Sequence, residues 1–396
     1  MARPPTLAFL RTESGAGVVL ALAALAALIL ANSPFAADYF NLTQTPIPVR
    51  LGGFSETLSL EGWVRDGLMP VFFLVVGLEV KFEVLRGEFS SPRRLAVPIM
   101  AAIGGMAGPA LVYLAINHGA AGAPRGWPIP TPTDVAFALA ALAVFARRLP
   151  HSLRLFLLTL AVADDLGAVV IIGLVFSAKI NLGAAAAALA ILLALILLSR
   201  WPKAPRTLFA LGFLLIWGFT LRSGVSTSVA GFACALTVPV GWRRPEQESV
   251  IKAFQDALHP YVAYAVLPLF AFVSAGVSLS ALPPGALLAP AALGVALGLI
   301  LGKPLGVFGF TLLTVATRLG RKPLGASWPE LFGIALLCGA GFTLSFFLCA
   351  LAFGPQDQPA LRLAVILGSL APVLAGGLLL RRLQATREER GGELEP

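Results

Sequence analysis

The sequence predicts an all-α polytopic membrane protein, and three observations carry that prediction. The 396 residues are 58% hydrophobic and 12% charged, with a mean hydropathy of +0.86, whereas soluble chains carry about 25% charged residues. Apolar runs of roughly 17 to 25 residues, each long enough to cross a ~30 Å hydrocarbon core, recur from end to end and leave no segment for a soluble domain. Inside one of them, TLAVADDLGAVVIIGLVF (residues 159–176), Asp164 and Asp165 stand side by side. Each would cost about 2.5 to 3.5 kcal/mol at a helix centre unless something offsets it.

Taken in order, spans are expected near 14–31, 64–85, 95–116, 121–145, 153–177, 181–199, 207–221, 224–240, 253–280, 287–315, 328–350 and 360–380. That makes twelve transmembrane helices in one transporter-sized membrane domain, residues 1–396. An even number puts both termini on one side. Of the 29 Lys and Arg, six (Arg50, Arg65, Arg125, Lys179, Arg222 and Arg362) fall on the far side and Lys303 falls within a span. All the others, from Arg3 and Arg11 to Arg390, lie with the termini, so the positive-inside rule makes both termini and a tail over 383–396 cytoplasmic. The first span resembles a signal peptide, but ANSPFAADYF after it is a poor cleavage site, so it reads as a retained helix.

Residues 31–62 form a long outer connection. Within 41–62, two short runs, Ile47–Leu51 and Phe54–Leu60, flank Gly52-Gly53, a β-hairpin signature that Pro48 weakens. The segment is either an ordered outer loop or a subunit contact. The net charge of +9 is explained by its one-sided placement and calls for no nucleic-acid partner. Cys234, Cys338 and Cys349 lie in apolar spans without paired spacing, and His118, His151 and His259 are scattered. Neither a disulfide framework nor a zinc site is indicated, and no cofactor is expected.

Four charges inside spans remain: Asp134 in the fourth, Asp164 and Asp165 in the fifth, Lys303 in the tenth, all near mid-span. Charge at that depth marks a pathway or a structural ion pair. A static bridge between Lys303 and one aspartate accounts for at most one of the carboxylates. Adjacent helical residues point about 100° apart, so Asp164 and Asp165 have different jobs. Two carboxylates so close resist joint ionisation, and a bound cation or a Lys reverses that preference. Protons and a metal cation competing for the same oxygens is the physical requirement for exchange.

Two spans are interrupted. In the fourth, Pro128, Pro130 and Pro132 forbid a continuous helix, which resumes after Thr133 or Asp134, either of which is a suitable N-cap. In the eleventh, Gly339 and Gly341 loosen LLCGAGFTLSFF ahead of Thr343. Irregular backbone at membrane depth is tolerated only inside protein or beside a wet cavity. One break in each half points to inverted repeats, residues 95–177 and 287–380, with the site between them. Helix ends meeting at the breaks expose partial charges that Asp134 and Lys303 can neutralise.

PTDVAFALAAL, LAVADDLGAVVIIGL, LILGKPLG, LLCGAGFT, FFLVVGLEVKFE and PIMAAIGGM, in order and at comparable spacing from about residue 10 to 380, resemble the NhaA-type sodium/proton antiporters. The resemblance implies an electrogenic inner-membrane antiporter that expels Na+ or Li+ against a larger number of protons by alternating access. It implies Asp165 as main cation ligand, Asp164 as a group that binds cation or proton and otherwise pairs with Lys303, and Thr133 and Asp134 at the crossing of the broken helices. Homodimers through the outer hairpin near residues 45–60 are implied as well.

A cytoplasmic pH-sensing or cation-funnel region would include Glu79, Glu83, Lys252 and His259. There the chain departs from the family: KAFQDALHPYVAY has Gln255 and Asp256 where a Glu-His pair is expected, and Ser226 stands in place of a histidine. A different pH profile follows. For Glu79, Lys81 and Glu83 the plain alternative is charge snorkelling at a helix end.

A membrane enzyme fits poorly. DDLG lacks the second aspartate motif of an intramembrane aspartyl protease and the spaced carboxylate pairs that hold Mg2+ on pyrophosphate. A proton- or sodium-coupled carrier of an organic solute on a related fold calls for a roomier cavity with aromatic or Arg contacts, whereas small carboxylate and hydroxyl groups gather here.

Overall fold

A computed structural model describes residues 13–51, 54–86, 92–119, 122–146, 148–176, 180–201, 205–239 and 250–392. The Gly52-Gly53 turn and Arg3, Arg11, Arg147, Lys179, Lys203, Arg243 and Arg244 lie outside the described residues, as does the end of the tail, 393–396.

The first apolar run forms α1 (Glu13–Ala31), which packs against α6 (Val135–Phe145) and α12 (Leu267–Ala275). Asn32 closes it: its amide donates to Leu28 O at 2.8 Å and Val277 O at 2.7 Å, and its Oδ1 accepts from Leu279 N at 2.8 Å. The chain then turns by 117° into a short helix, α2 (Ala36–Gln44), that sequence periodicity does not announce.

Strands β1 (Pro46–Leu51) and β2 (Phe54–Ser59) pair antiparallel from Pro46↔Ser59 to Leu51↔Phe54. The hairpin therefore forms despite Pro46 and Pro48, because a two-stranded ribbon is all edge and has room for missing donors. Such a ribbon is marginal alone, and it is tied down by Trp63 Nε1 donating to Ile47 O at 2.8 Å and by Arg222–Glu56 at 3.5 Å.

Ser59 caps α3 (Leu60–Trp63), accepting from Gly62 N. A wide π turn, Val64–Leu68, leads into α4 (Met69–Arg86). Then come α5 (Pro92–Ile116), α6, α7 (His151–Val175), α8 (Leu182–Leu198), α9 (Arg206–Ser223), α10 (Thr227–Thr237) and α11 (Val250–Tyr261). A π turn, Val262–Val266, joins α11 to α12, and another, Gly298–Gly302, joins α13 (Pro290–Leu297) to α14 (Lys303–Ala316). The chain ends with α15 (Trp328–Leu337), α16 (Phe342–Ala352) and α17 (Gln358–Gly392).

Among the described residues five helices are long and apolar enough to cross a membrane, or up to seven if each bent pair counts as one span. The pairs are α1 with α2 and α15 with α16, the latter bent by 44°. Shorter apolar helices (α6, α8, α9, α10) lie at four more of the expected positions, and α4 lies at the second. The expected boundaries shift in three places. The fourth span is α-helical only over α6, with a single 3-10 turn before it at Pro124–Gly126, the ninth ends at Ala275, and the twelfth continues without interruption to Gly392.

Two contacts matter for the site. Helices α5 and α14 approach backbone to backbone: a Cβ on Gly104 would run into the carbonyl of Gly306, and one on Gly306 into that of Gly104. Small residues at a helix crossing are what allow such an approach without water to drive it, and here they seat Lys303 at the start of α14. Phe347 of α16 lies between Phe73 of α4 and Phe270 of α12, with ring centroids 5.5 and 6.2 Å apart.

Candidate functional site

Both interrupted spans break at one place. Residues 127–134 run without helix, as three prolines at alternate positions require. Pro128 O accepts from Thr131 N and Oγ1, and Pro130 packs on the Gly298 turn. Pro132 sits between Thr131 and Thr133, just past those turns, where the chain has no regular structure.

The second break, residues 338–341, lies against the first. Asp134 N donates to Ala340 O at 2.6 Å, Thr133 Oγ1 to Cys338 O at 3.2 Å, and Ser345 Oγ to Ile129 O at 2.7 Å. Gly339 lets the second break lie close against the Gly298–Gly302 turn and α17, since a Cβ there would press on Leu299 O and the Pro372 ring.

Asp134 serves both helix ends. Its backbone is extended and its Oδ1 accepts from Phe137 N at 3.0 Å, which makes it the N-cap of α6. Its Oδ2 accepts from Thr343 N at 3.2 Å and Thr343 Oγ1 at 2.6 Å, in the first turn of α16. One carboxylate therefore faces two positive helix ends, a favourable arrangement for an anion. Gly341 is the N-cap of α16.

Helix α7 presents the aspartate pair. Leu155, Leu158, Thr159, Val162 and Asp165 line a cavity of 320 Å³, spaced as one face of a helix. Asp164, one residue round, points elsewhere and is fully buried. Its Oδ2 accepts from Lys303 Nζ at 2.5 Å and from Thr133 Oγ1 at 2.7 Å. Lys303, equally buried, also donates to Thr131 O.

Asp164 Oδ1 and Asp165 Oδ1 are buried with no hydrogen-bond partner. A bare carboxylate oxygen inside a protein invites a proton, a water or a hard cation. The pair thus offers two buried, unpartnered oxygens on neighbouring residues, one on the carboxylate held by a fixed ammonium and one on the carboxylate that lines the cavity.

The cavity runs from this layer towards the end away from the hairpin, where Glu79 and Glu83 of α4 and Gln255 and His259 of α11 line it. Lys252 and Asp256, on the same helix, are exposed. Ser226 is the N-cap of α10 and makes no capping bond with its side chain.

Three groups here have roles that the sequence does not assign. Lys81 donates to Leu236 O and Val238 O at 2.6 Å each, closing the C-terminal end of α10. The Thr131 carbonyl holds Lys303. Ser369 of α17 accepts from Gly341 N and Phe342 N. Lys81 carries a signal, a cation between two acids on an apolar helix. A backbone carbonyl and a lone serine carry none.

Comparison with known proteins agrees along nearly the whole chain. Residues 7–380 match the family described as Na+/H+ antiporter 1. The chain is 47% identical over 390 residues to the Na(+)/H(+) antiporter NhaA of Rhodospirillum rubrum, covering 95% of this chain and 96% of the relative. It is 46% identical over 388 residues to that of Bordetella parapertussis, at 96% and 98% coverage. To that of Pseudomonas putida strain GB-1 it is 43% identical over 374 residues, at 93% and 95%.

Proposed function

The chain belongs to the Na+/H+ antiporter 1 family, and from that premise we propose that Asp165 is its principal cation ligand and Asp164 the group that alternates between cation and Lys303. The protein is an electrogenic sodium/proton antiporter. It is a multi-pass secondary transporter of the bacterial inner membrane and not an enzyme. The observation that carries the site reading is the division of labour between adjacent carboxylates. Asp165 lines the cavity and keeps one buried oxygen without a hydrogen-bond partner, whereas Asp164 is held by Lys303 and Thr133 with its other oxygen bare.

In this reading the cavity faces the cytoplasm. Na+ or Li+ enters past Glu83 and Glu79 and meets Asp165. Positive charge at Asp165 draws on the free oxygen of Asp164 and weakens its claim on Lys303, so cation binding and the ion pair are alternatives. Thr133 supplies a hydroxyl to the same layer, and Asp134 with Thr343 keeps the crossing of α6 and α16 electrically balanced. The site then opens outward, and protons arriving in larger number than the cations displace them.

Twelve spans, with residues 95–177 and 287–380 as inverted repeats and both termini cytoplasmic, form the scaffold for that motion. Support comes from the matching element order, a broken helix followed by one long helix in each half (α6 then α7, α16 then α17). At the mouth Gln255 stands beside His259, Glu79 and Glu83, so the pH profile rests on fewer titratable groups than an acidic residue at Gln255 would give.

The test is inside-out membrane vesicles with a ΔpH-sensitive dye, challenged with Na+, Li+, K+ and Ca2+ across pH. Na+ and Li+ are expected to release the quench. Absence of a response to both at every pH overturns the reading.

The hairpin is the proposed homodimer contact near residues 45–60. Residues 44–48 are exposed, and β2, whose one neighbour in the sheet is β1, has its other edge available for a second copy. Deleting residues 46–59 is expected to convert the dimer to an active monomer, read by light scattering of the detergent-solubilised protein. A dimer of unchanged strength after deletion rules out the hairpin as the contact.

A further inference from the structure

Helix α16 begins inside the protein, so the N–H groups of its first turn have no partner within the helix. Asp134 takes that of Thr343. Those of Gly341 and Phe342 go, at 3.2 and 3.3 Å, to a single oxygen, Ser369 Oγ. Ser369 is 1% exposed and belongs to α17. Gly341, the N-cap, has no side chain with which to serve itself.

We infer that Ser369 is a positioning residue of the ion site, a capping group supplied by a different helix that fixes the N-terminus of α16 against Asp134. The inference rests on the site reading above. Its place in the element order is telling: α7, the long helix after the first break, carries Asp164 and Asp165, and α17, the long helix after the second, carries Ser369. A carboxylate there would satisfy the same N–H groups but add a further anion competing for the cation. A hydroxyl satisfies them without charge.

Without Ser369 Oγ, two donors and the partial positive charge of the helix end have only Asp134 left to face. The carboxylate layer becomes less attractive to a cation, and the end of α16 loosens.

Two measurements on S369A and S369T test this. Hydrogen–deuterium exchange over residues 338–347 is expected to be about tenfold faster in S369A, from loss of two bonds, and near wild type in S369T. In vesicles, S369A is expected to raise the KM for Na+ about fivefold with kcat within about twofold, and S369T to restore KM.

Unchanged exchange in S369A overturns the inference. Faster exchange with unchanged KM overturns its link to the ion site. Equal losses in S369A and S369T mark a packing role and overturn it as well. Exchange is read without transport, so the two readings fail separately. A raised KM in S369A beside retained exchange activity in D165N sinks the ligand assignment and leaves the role of Ser369 standing.

Discussion

Asp165→Asn is expected to reduce Na+- and Li+-driven proton movement in inside-out vesicles to background while leaving the protein folded. Asn matches Asp in size and keeps one carbonyl oxygen, but it brings no charge and takes up no proton in exchange. Losing a charged ligand from a buried site is worth about 3 kcal/mol or more, which lowers cation occupancy by more than about a hundredfold. Removing the proton-binding group also severs the competition on which exchange depends.

Stability is expected to hold or rise, because Asp165 Oδ1 has no partner to lose and a neutral amide is cheaper to bury than a carboxylate. The measurements are dye response across pH and the Tm of purified protein. Sodium-dependent proton release in Asp165→Asn at wild-type strength would show that another group holds the cation.

Lys303→Ala is expected to cost about 3 to 5 kcal/mol of stability, the range for breaking a fully buried pair from one side. Both partners are 0% exposed, and no solvent screens the Asp164 charge that remains. The same change frees the Thr131 carbonyl and leaves a hole beside Gly105, which adds to the loss.

Asp164→Asn in the Lys303→Ala background separates these contributions. With the orphaned charge gone, the double variant is expected to be more stable than Lys303→Ala alone, a non-additivity that only directly coupled residues show. Thermal melts of the two single variants and the double variant decide it. Additive losses would mean that the pair does not act as a unit.

Much of this was legible in the chain. Pro128, Pro130 and Pro132 forbid a continuous helix by their own covalent geometry, and Asp134 follows as a capping residue wherever helix resumes. Gly52-Gly53 between two short runs marked the hairpin, although Pro48 argued against β1. Helix periodicity alone separates Asp164 from Asp165. Less visible were α2, which has no apolar rhythm of its own, and the π turns at Val64–Leu68, Val262–Val266 and Gly298–Gly302. A one-residue widening of a helix leaves composition unchanged.

By itself, then, the sequence determined a multi-span apolar chain, the two places where its helices must break, and four charges stranded at one depth. Those are local consequences of hydropathy, proline chemistry and helical spacing. That Lys303 takes Asp164 was implied by the family resemblance and not by any local pattern; tertiary structure alone decided that Asp134 caps two helices at once, and that Ser369 and Lys81 close the ends of helices other than their own. Each of those bonds joins elements distant along the chain, and the choice of partner depends on how closely helices pack, which no local pattern encodes.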